Sequence, residues 1–431
     1  MVRLLQYLNR SGKFVIPALI IAYISTWFIE VLNGVYLLDM TQTFLGIGYQ
    51  PSIPVGTSPL LAAGSQLVAI ATIAAVISGI LLGALCTKVS HDKLFLFGIV
   101  AVAVGTLGCF LAPNWVAMQI FFSVVSIGTI IVTAMTFTLV GEVLPLHRRP
   151  IVTGFILAVA PVASIITALV IINFSATDLA LSDPTLPIGF AVTGWRSFLG
   201  FFALPVTLIS LVAAYLGVPK VAKIGSQNLK VSFGAVFLSR SAVGCLVGNM
   251  VRQAVMVMRV FYIPSFFRET FLLSLNVWVV LMLASVAVFA LGSIVGGYLI
   301  NRVGRKRLLV ASLIVSSPFL LPLAFWANPN LMVLIPLMFV GSFIFSMGSP
   351  SSINLTLEQV SKARGTMMSM SAVFVTLGVS LGTILGGLVL RTFESYTALM
   401  LAFVALELVA VAVYFFLTKD PTKEYPIKSL V

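Results

Sequence analysis

The chain has 431 residues, of which 60% are hydrophobic and only 9% are charged, and its mean hydropathy is +1.14. These values lie outside the range of soluble domains and indicate an integral membrane protein. The net charge of +13 does not predict a nucleic-acid partner, because the cations lie mainly in the loops between apolar runs.

A helix needs about 20 apolar residues to cross the hydrocarbon core of a bilayer. On this rule the sequence predicts twelve spans. The first is interpreted as a membrane span and not as a removable signal peptide, because it is long and lacks a small-residue cleavage site. The spans cover residues 14–38, 59–86, 94–112, 115–141, 151–173, 196–218, 240–263, 276–300, 308–327, 331–357, 366–390 and 396–417.

The lysines and arginines predict the orientation. Only Arg196, Arg268 and Arg391 fall in loops on one side, and Arg252 and Arg259 fall inside the seventh span. The rest of the 25 cations lie in the termini and loops of the other side, which is therefore the cytoplasmic side. We expect a multi-pass protein of the cell membrane with both termini in the cytoplasm.

A short basic segment divides the spans into two sets of six. The sequence predicts an N-terminal six-helix bundle at residues 1–218 and a C-terminal six-helix bundle with a short cytoplasmic tail at residues 240–431. We expect the segment between them, residues 219–239, to be a cytoplasmic linker formed by a loop or a surface helix.

Two motifs occur once in each half. The basic turn Gly297–Arg307 (G-Y-L-I-N-R-V-G-R-K-R) begins 214 residues after a degraded copy at Gly83–Lys93 (G-A-L-C-T-K-V-S-H-D-K). Glu142 ends the fourth span before a pair of arginines, and Glu358 ends the tenth span 216 residues later, again before an arginine. Two motif pairs at nearly the same offset predict an internal duplication.

With these motifs the sequence resembles the major facilitator superfamily, nearest its sugar-porter and metabolite:proton symporter branches. The signature G-x-L-x-D-R-x-G-R-R loop of that family is matched best by the second copy, and its E-x-x-P-x-x-x-R pattern is matched in the first half. The matching residues are Gly83, Leu85, Lys88, Glu142, Pro145, Arg149, Gly297, Leu299, Arg302, Gly304, Arg305 and Lys306. The resemblance covers the whole chain. It implies an all-α membrane protein with twelve transmembrane helices in two pseudo-symmetric six-helix bundles.

The resemblance also implies a cytoplasmic gate made of ion pairs and close helix contacts. Gly297 would let two helices touch, and Gly304 would take the positive φ that a tight turn needs. The alternative is that the cations only fix the topology. The predicted gate residues are Gly83, Lys88, Glu142, Arg148, Arg149, Gly297, Asn301, Arg302, Gly304, Arg305, Glu358 and Arg364.

The aspartate of the family motif is missing from both copies, where Thr87 and Asn301 stand instead. A gate in this chain would therefore depend more on Glu142 and Glu358. Restoring the carboxylate by Asn301→Asp is expected to bias the protein toward a single gate state and to slow exchange.

Acidic side chains are rare at membrane depth, where charges are costly and usually functional. Glu30 lies in the first span on a polar stripe with Tyr23, Trp27 and Asn33, and it is a candidate for proton binding. The alternative is a structural hydrogen bond to a neighbouring helix. For Glu407, in the last span, a structural role is favoured.

The seventh span, which is the internal repeat of the first, has a polar stripe that includes Asn249, Arg252, Gln253 and Arg259. Arg252 falls near mid-depth, where it needs an anionic partner, and a guanidinium can hold a carboxylate by two hydrogen bonds. It would bind an anionic substrate, pair with Glu30, or exchange between the two. Polar residues beside Pro350 in the tenth span, Asn354 among them, would add hydrogen bonds to the site.

These observations favour a secondary transporter that works by alternating access, with its site between the halves near mid-membrane. The preferred function is proton-coupled symport of a small organic anion, a carboxylate or a sugar acid. The alternatives are a neutral sugar or polyol transporter and, ranked lower, a drug/proton antiporter or a non-transporting membrane sensor. We expect no cofactor beyond a proton gradient, no metal, a small-molecule substrate, and a monomer in the bilayer.

An enzyme is disfavoured, because His91 and His147 both lie in predicted loops and no cluster of catalytic groups lies at depth.

Overall fold

The computed structural model describes residues 14–35, 37–45, 59–177, 194–220, 228–273, 275–325 and 330–424. Every regular element in these ranges is helical. The first set of helices is α1 Val15–Val35, α2 Leu37–Leu45, α3 Pro59–Leu85, α4 His91–Leu111, α5 Trp115–Val143, α6 Arg149–Thr177, α7 Gly194–Ser197 and α8 Leu204–Gly217, with a π-helical stretch at Phe198–Ala203 before α8.

The second set begins with α9 Leu229–Phe237, in the segment predicted as a linker. The others are α10 Arg240–Thr270, α11 Leu275–Val303, α12 Arg305–Ser316, α13 Leu321–Phe325, α14 Leu331–Met347, α15 Ser349–Gln359, α16 Arg364–Phe393 and α17 Tyr396–Leu417. Short 3₁₀ turns at Ser317–Leu320, Ser361–Ala363 and Pro421–Glu424 connect or follow them.

The helices are long and apolar enough to form the predicted membrane spans. Within the described ranges, ten stretches can each cross a bilayer, and α9 with α10, bent by 71°, makes an eleventh if the bent pair is counted as one span. Helix α1 supplies a shorter apolar segment, Val15–Ile29. Each of the twelve predicted spans overlaps one of these helices, so the all-α transmembrane fold class is confirmed, while the count of twelve spans stays a prediction.

Two predicted boundaries differ from the structure. The loop expected at residues 301–307 shrinks to Gly304 alone, because α11 runs to Val303 and α12 begins at Arg305. The predicted tenth span is two helices that meet at Gly348, just before Pro350. Proline lacks a backbone N–H and fits the first turn of a helix, which explains why a new helix begins there.

The chain packs as two compact units. The first comprises Met1–Leu81, Ser90–Thr136 and Ala163–Ala222, and the second comprises Leu82–Val89, Phe137–Val162 and Lys223–Val431. The division into bundles at residues 219–239 stays a prediction. Both copies of Gly83/Gly297 and of Glu142/Glu358 lie in the second unit.

In the first unit, α4 and α5 cross closely where glycines face each other. A Cβ added to Gly128 would lie 2.7 Å from the carbonyl oxygen of Gly98. Arg196 is buried against the Trp195 ring, and its guanidinium donates to the carbonyl oxygen of Ala112 at 2.9 Å, at the end of α4. The sequence prediction placed Arg196 in an outer loop, whereas the structure uses it to cap a helix.

In the second unit, α10 is the central helix. It packs along α16 and α17, and Gly378 of α16 sits so close that an added Cβ would be 2.3 Å from the carbonyl oxygen of Met250. Small residues permit such close approach between membrane helices. The polar stripe of α10 is therefore enclosed by neighbouring helices.

Candidate functional site

The basic turn forms one end of the second unit, which we call the basic end. Gly304 has φ +92°, as the sequence predicted for a turn that reverses the chain at one residue. The next two cations bind within the protein. Arg305 donates to the hydroxyl of Thr422 at 2.7 Å, and Lys306 donates to the carbonyl oxygens of Phe415 and Thr418, both at 2.8 Å, at the end of α17.

Helices α6 and α11 touch at the basic end through two glycines. A Cβ on Gly297 would lie 2.7 Å from the carbonyl oxygen of Pro150, and a Cβ on Gly154 would lie 2.7 Å from that of Ser293. The predicted close helix contact at Gly297 is thus present in the structure.

The other copy of the motif makes a looser crossing between α3 and α16. The carbonyl oxygen of Gly83 accepts a hydrogen bond from the Thr366 hydroxyl at 3.0 Å. A Cβ added to Gly83 would lie 3.0 and 3.2 Å from the ends of the Met370 and Phe233 side chains, and 3.7 Å from the Cγ2 of Thr366.

Glu358 is the centre of the ion pairs at the basic end. One carboxylate oxygen accepts from Arg149 of α6, and the other accepts from Arg364 of α16 at 3.0 Å. Both arginines therefore pair with the same glutamate, instead of one pairing with each copy. Glu142 is half-buried, whereas Lys88, Arg148 and Arg302 are exposed.

Asn301 replaces the aspartate of the family motif, and the structure gives it a different bond. Its amide donates to the carbonyl oxygen of His147 at 2.8 Å, which ties α11 to the turn before α6. A carboxylate at this position has no proton to donate.

Within the second unit, the polar stripe of α10 begins with Asn249, whose side chain has a full set of partners. It donates to Thr356 at 2.9 Å and to Ser371 at 3.1 Å, and it accepts from the Tyr414 hydroxyl at 2.6 Å. This buried network joins four helices and indicates a structural role for a residue predicted to bind substrate. Gln253, one turn on, is half-buried against Gly378.

Arg259 is neutralised inside the protein by Glu407 of α17. Its guanidinium donates to a carboxylate oxygen of Glu407 at 2.6 Å, and the two side chains are 5% and 0% exposed. The other carboxylate oxygen accepts from the hydroxyl of Ser316. The structural role favoured for Glu407 takes the form of a buried ion pair that the sequence analysis did not predict.

Arg252 lies two turns before Arg259 and is equally buried, but its surroundings differ. It donates to the hydroxyl of Ser349, and its guanidinium carbon lies 4.7 Å from the centroid of the Phe345 ring. Its Nε has no hydrogen-bond partner, and no carboxylate among the described side chains pairs with it. Arg252 is thus a buried cation with a neutral set of contacts.

Unpartnered polar atoms also occur on α15, the helix that carries Ser349. The amide of Asn354 donates to the carbonyl oxygen of Pro350 at 2.8 Å, but its Oδ1 has no partner. The hydroxyl of Ser351 is likewise buried and without a partner. Buried polar groups are normally hydrogen-bonded, so these atoms are candidates for ligand contacts.

The residues predicted on the first span lie in α1, in the other unit. Tyr23 is buried and its ring lies 6.4 Å from that of Trp27. Glu30 and Asn33 belong to the same helix, but their side chains lie outside the described part of the structure. Among the described residues, no group of three His, Cys, Asp or Glu side chains is arranged to hold a metal.

Comparison with known proteins agrees with the resemblance in the motifs. The family model described as Major Facilitator Superfamily matches residues 261–430. The E. coli fucose:proton symporter FucP superimposes with a TM-score of 0.76 at 14% identity, covering 95% of this chain and 100% of that one. The human organic anion transporter MFSD10 gives 0.70 at 13% identity, covering 94% and 99%.

The proton:xylose symporter XylE gives a TM-score of 0.69 at 13% identity, covering 96% of each chain. At these identities the structural matches show the fold alone. The chain is thus a multi-pass membrane protein with the fold of the major facilitator superfamily, the family whose model matches residues 261–430.

Proposed function

We propose that this protein is a secondary transporter that couples proton entry to the uptake of a small organic anion by alternating access. It would work as a monomer in the cell membrane, with both termini and the basic end on the cytoplasmic side. The orientation is supported by the distribution of lysine and arginine between the loops.

The observation that carries the proposal is the difference between the two arginines of α10. Arg259 has the carboxylate of Glu407, whereas Arg252 has a hydroxyl and an aromatic ring. A buried charge without a counter-charge costs several kcal/mol. An anionic substrate at Arg252 would offset that cost, so binding energy is available at this residue.

The contacts of Arg252 suit a carboxylate. Ser349 and Phe345 fix one edge and one face of the guanidinium, and the unpartnered Nε remains as a donor. A planar guanidinium held in this way can form a bidentate pair with a carboxylate. Because Arg252 is only 5% exposed, the substrate would reach it when the surrounding helices rearrange.

We assign the coupled proton to Glu30, on the evidence of the sequence. It is one of two acidic residues well inside a predicted span, and Glu407, the other, is committed to Arg259. Protonation would remove its charge before the carrier reorients, which lowers the cost of moving the site through the membrane.

A neutral sugar or polyol is the second candidate. The unpartnered atoms of Ser351 and Asn354 favour it, because hydroxyl groups of a sugar could satisfy both. A sugar acid would use these atoms and Arg252 together. A drug/proton antiporter or a non-transporting sensor has no observation here in its favour.

The decisive measurement is uptake by purified protein in liposomes with an acidic exterior, comparing gluconate with glucose. Arg252→Gln should reduce gluconate uptake roughly thirtyfold or more, because losing one partner of a buried charged contact costs 2 kcal/mol or more. Arg391→Gln, which removes an exposed arginine from the end of α16, should change little. Equal losses for gluconate and glucose in Arg252→Gln would contradict the anion proposal.

The proton assignment is tested separately. Glu30→Gln should abolish uphill accumulation while leaving exchange of substrate across the membrane intact, since glutamine cannot carry a proton. Unchanged accumulation would remove Glu30 from the coupling role.

A further inference from the structure

A second cation lies close to Arg252. The guanidinium carbons of Arg252 and Arg259 lie 4.7 and 4.8 Å from the centroid of the same ring, that of Phe345. The two carbons are therefore no more than about 10 Å apart, a range over which charges interact strongly in a protein interior.

The guanidinium of Arg259 also has an unpartnered donor. Its Nη2 group is used by Glu407 and by the carbonyl oxygen of Ser316, but its Nε has no partner. Without Glu407, Arg259 would thus be a second cation able to attract an anion.

The charge count of the region then depends on one residue. Within the described part of the second unit, Glu407 is the carboxylate that pairs with this arginine cluster, and it neutralises one of its two cations. Two further ion pairs described in this unit belong to Glu358, which binds Arg149 and Arg364 at the basic end. The cluster of Arg252, Arg259 and Glu407 therefore carries a single net positive charge.

We propose that Glu407 sets the charge selectivity of the transporter: by neutralising Arg259, it leaves one positive charge at the substrate site and makes the site prefer monoanions to dianions. The inference rests on the proposed anion transport and gives it a narrower substrate class, namely acids with one carboxylate. Glu407 acts through Arg259 and does not touch the substrate, so it is a positioning residue.

The physical reason is desolvation. A dianion entering a site with one cation loses the hydration of a second charge without gaining a partner, which is costly at low dielectric constant. A second cation about 10 Å from the second carboxylate would increase the affinity for the dianion about tenfold, at the effective dielectric constant of protein sites.

The test compares matched ligands on the purified full-length protein. Dissociation constants are measured by titration calorimetry for gluconate and glucarate, and for succinamate and succinate, each pair having one and two carboxylates. The variants are Glu407→Gln, which makes the net charge of the cluster +2, and the double variant Arg259→Gln/Glu407→Gln, which returns it to +1.

We expect the wild type to bind the monoanion of each pair more tightly. Glu407→Gln should shift the ratio of the two constants about tenfold toward the dianion, and the double variant should return to within about threefold of the wild-type ratio. General loosening of the fold would weaken both ligands and leave the ratio in place.

The outcomes separate the two proposals. If monodisperse Glu407→Gln protein binds gluconate or succinamate with the wild-type ratio of monoanion to dianion dissociation constants, the selectivity role of Glu407 is overturned and the anion proposal stands. A wild type that binds none of the four acids overturns the anion proposal and this inference with it. If Glu407→Gln does not fold, two other results overturn the inference. One is a wild type that binds the dianion of each pair more tightly, and the other is a double variant whose ratio of dissociation constants differs tenfold from that of the wild type.

Discussion

The two copies of the repeated motif lie at helix crossings of different tightness, one tight at Gly297 and one loose at Gly83. At Gly297, backbone meets backbone, because Gly154 of the facing helix also lacks a side chain. At Gly83 the facing residue is Met370, which lies 216 residues after Gly154 and so occupies the equivalent place in the other half. A flexible side chain fills the gap there.

The ion pairs also favour the second copy, because both described arginines bind Glu358. Arg149 and Arg364 come from opposite halves of the sequence, yet both bind Glu358. Asn301 makes a bond to another segment, whereas Thr87 donates to the carbonyl oxygen of Ala84 in its own turn at 2.8 Å. Among the described contacts, the ion pairs of Arg149 and Arg364 and the bond of Asn301 to another segment all involve the second copy of the motifs.

The strongest way to break this asymmetry is Glu358→Gln. Two partly buried arginines would lose their carboxylate, which we expect to cost about 2 kcal/mol and to open the basic end. Cys86 is a native reporter, because its thiol is half-buried at this end, 3.7 Å from the Ser369 hydroxyl, while Cys109 and Cys245 are buried. Its labelling by a maleimide should accelerate roughly tenfold or more.

The matched control for that experiment is Glu142→Gln. It removes a glutamate at the equivalent position and leaves the ion pairs of Arg149 and Arg364 with Glu358 in place, so labelling of Cys86 should change less than twofold. Equal acceleration in the two variants would show that both copies hold the basic end closed.

A middle-sized effect is expected from adding one methyl group to each crossing. Gly297→Ala puts a Cβ against the carbonyl oxygen of Pro150, which cannot move without its helix, and should destabilise the fold by about 1–3 kcal/mol. Gly83→Ala meets the mobile ends of Met370 and Phe233 and should be nearly neutral. Thermal unfolding in detergent compares the two, and similar losses would contradict the tight-versus-loose distinction.

The smallest change is Asn301→Asp. The family motif suggests a firmer gate, but the structure predicts a weaker one, because a carboxylate cannot donate to the carbonyl oxygen of His147. Loss of one such bond is worth about 1 kcal/mol, so labelling of Cys86 should rise severalfold. Slower labelling would favour the expectation from the family, with the new carboxylate held by a nearby arginine.

Much of the fold could be predicted from local signals. Long apolar runs define the spans, the positive φ of Gly304 follows from glycine in a one-residue reversal, and the close contact of Gly297 follows from a small residue beside a basic turn. The helix break beside Pro350 was not predicted, because the apolar run 331–357 reads as one continuous span, although proline suits the first turn of the new helix.

The sequence did not predict the pairings between distant helices. Arg259 and Glu407 are 148 residues apart, and two arginines and two glutamates at depth allow several combinations. Helical spacing gives the face on which a residue lies, but not the helix that the face meets. The same limit applies to Asn249, whose amide is used fully by three neighbouring helices although its place on a polar stripe suggested a ligand.

Lys306 has a consequence for how the protein is made. Its ammonium group caps the carbonyl end of α17 by binding Phe415, a residue that leaves the ribosome 109 residues later. Until then, the hairpin at Gly304 enters the membrane with this cation lacking its final acceptor. The contact of Lys306 therefore forms only after the last helix is made. A chain that stops before residue 415 would contain the hairpin at Gly304 without the bonds from Lys306 to α17.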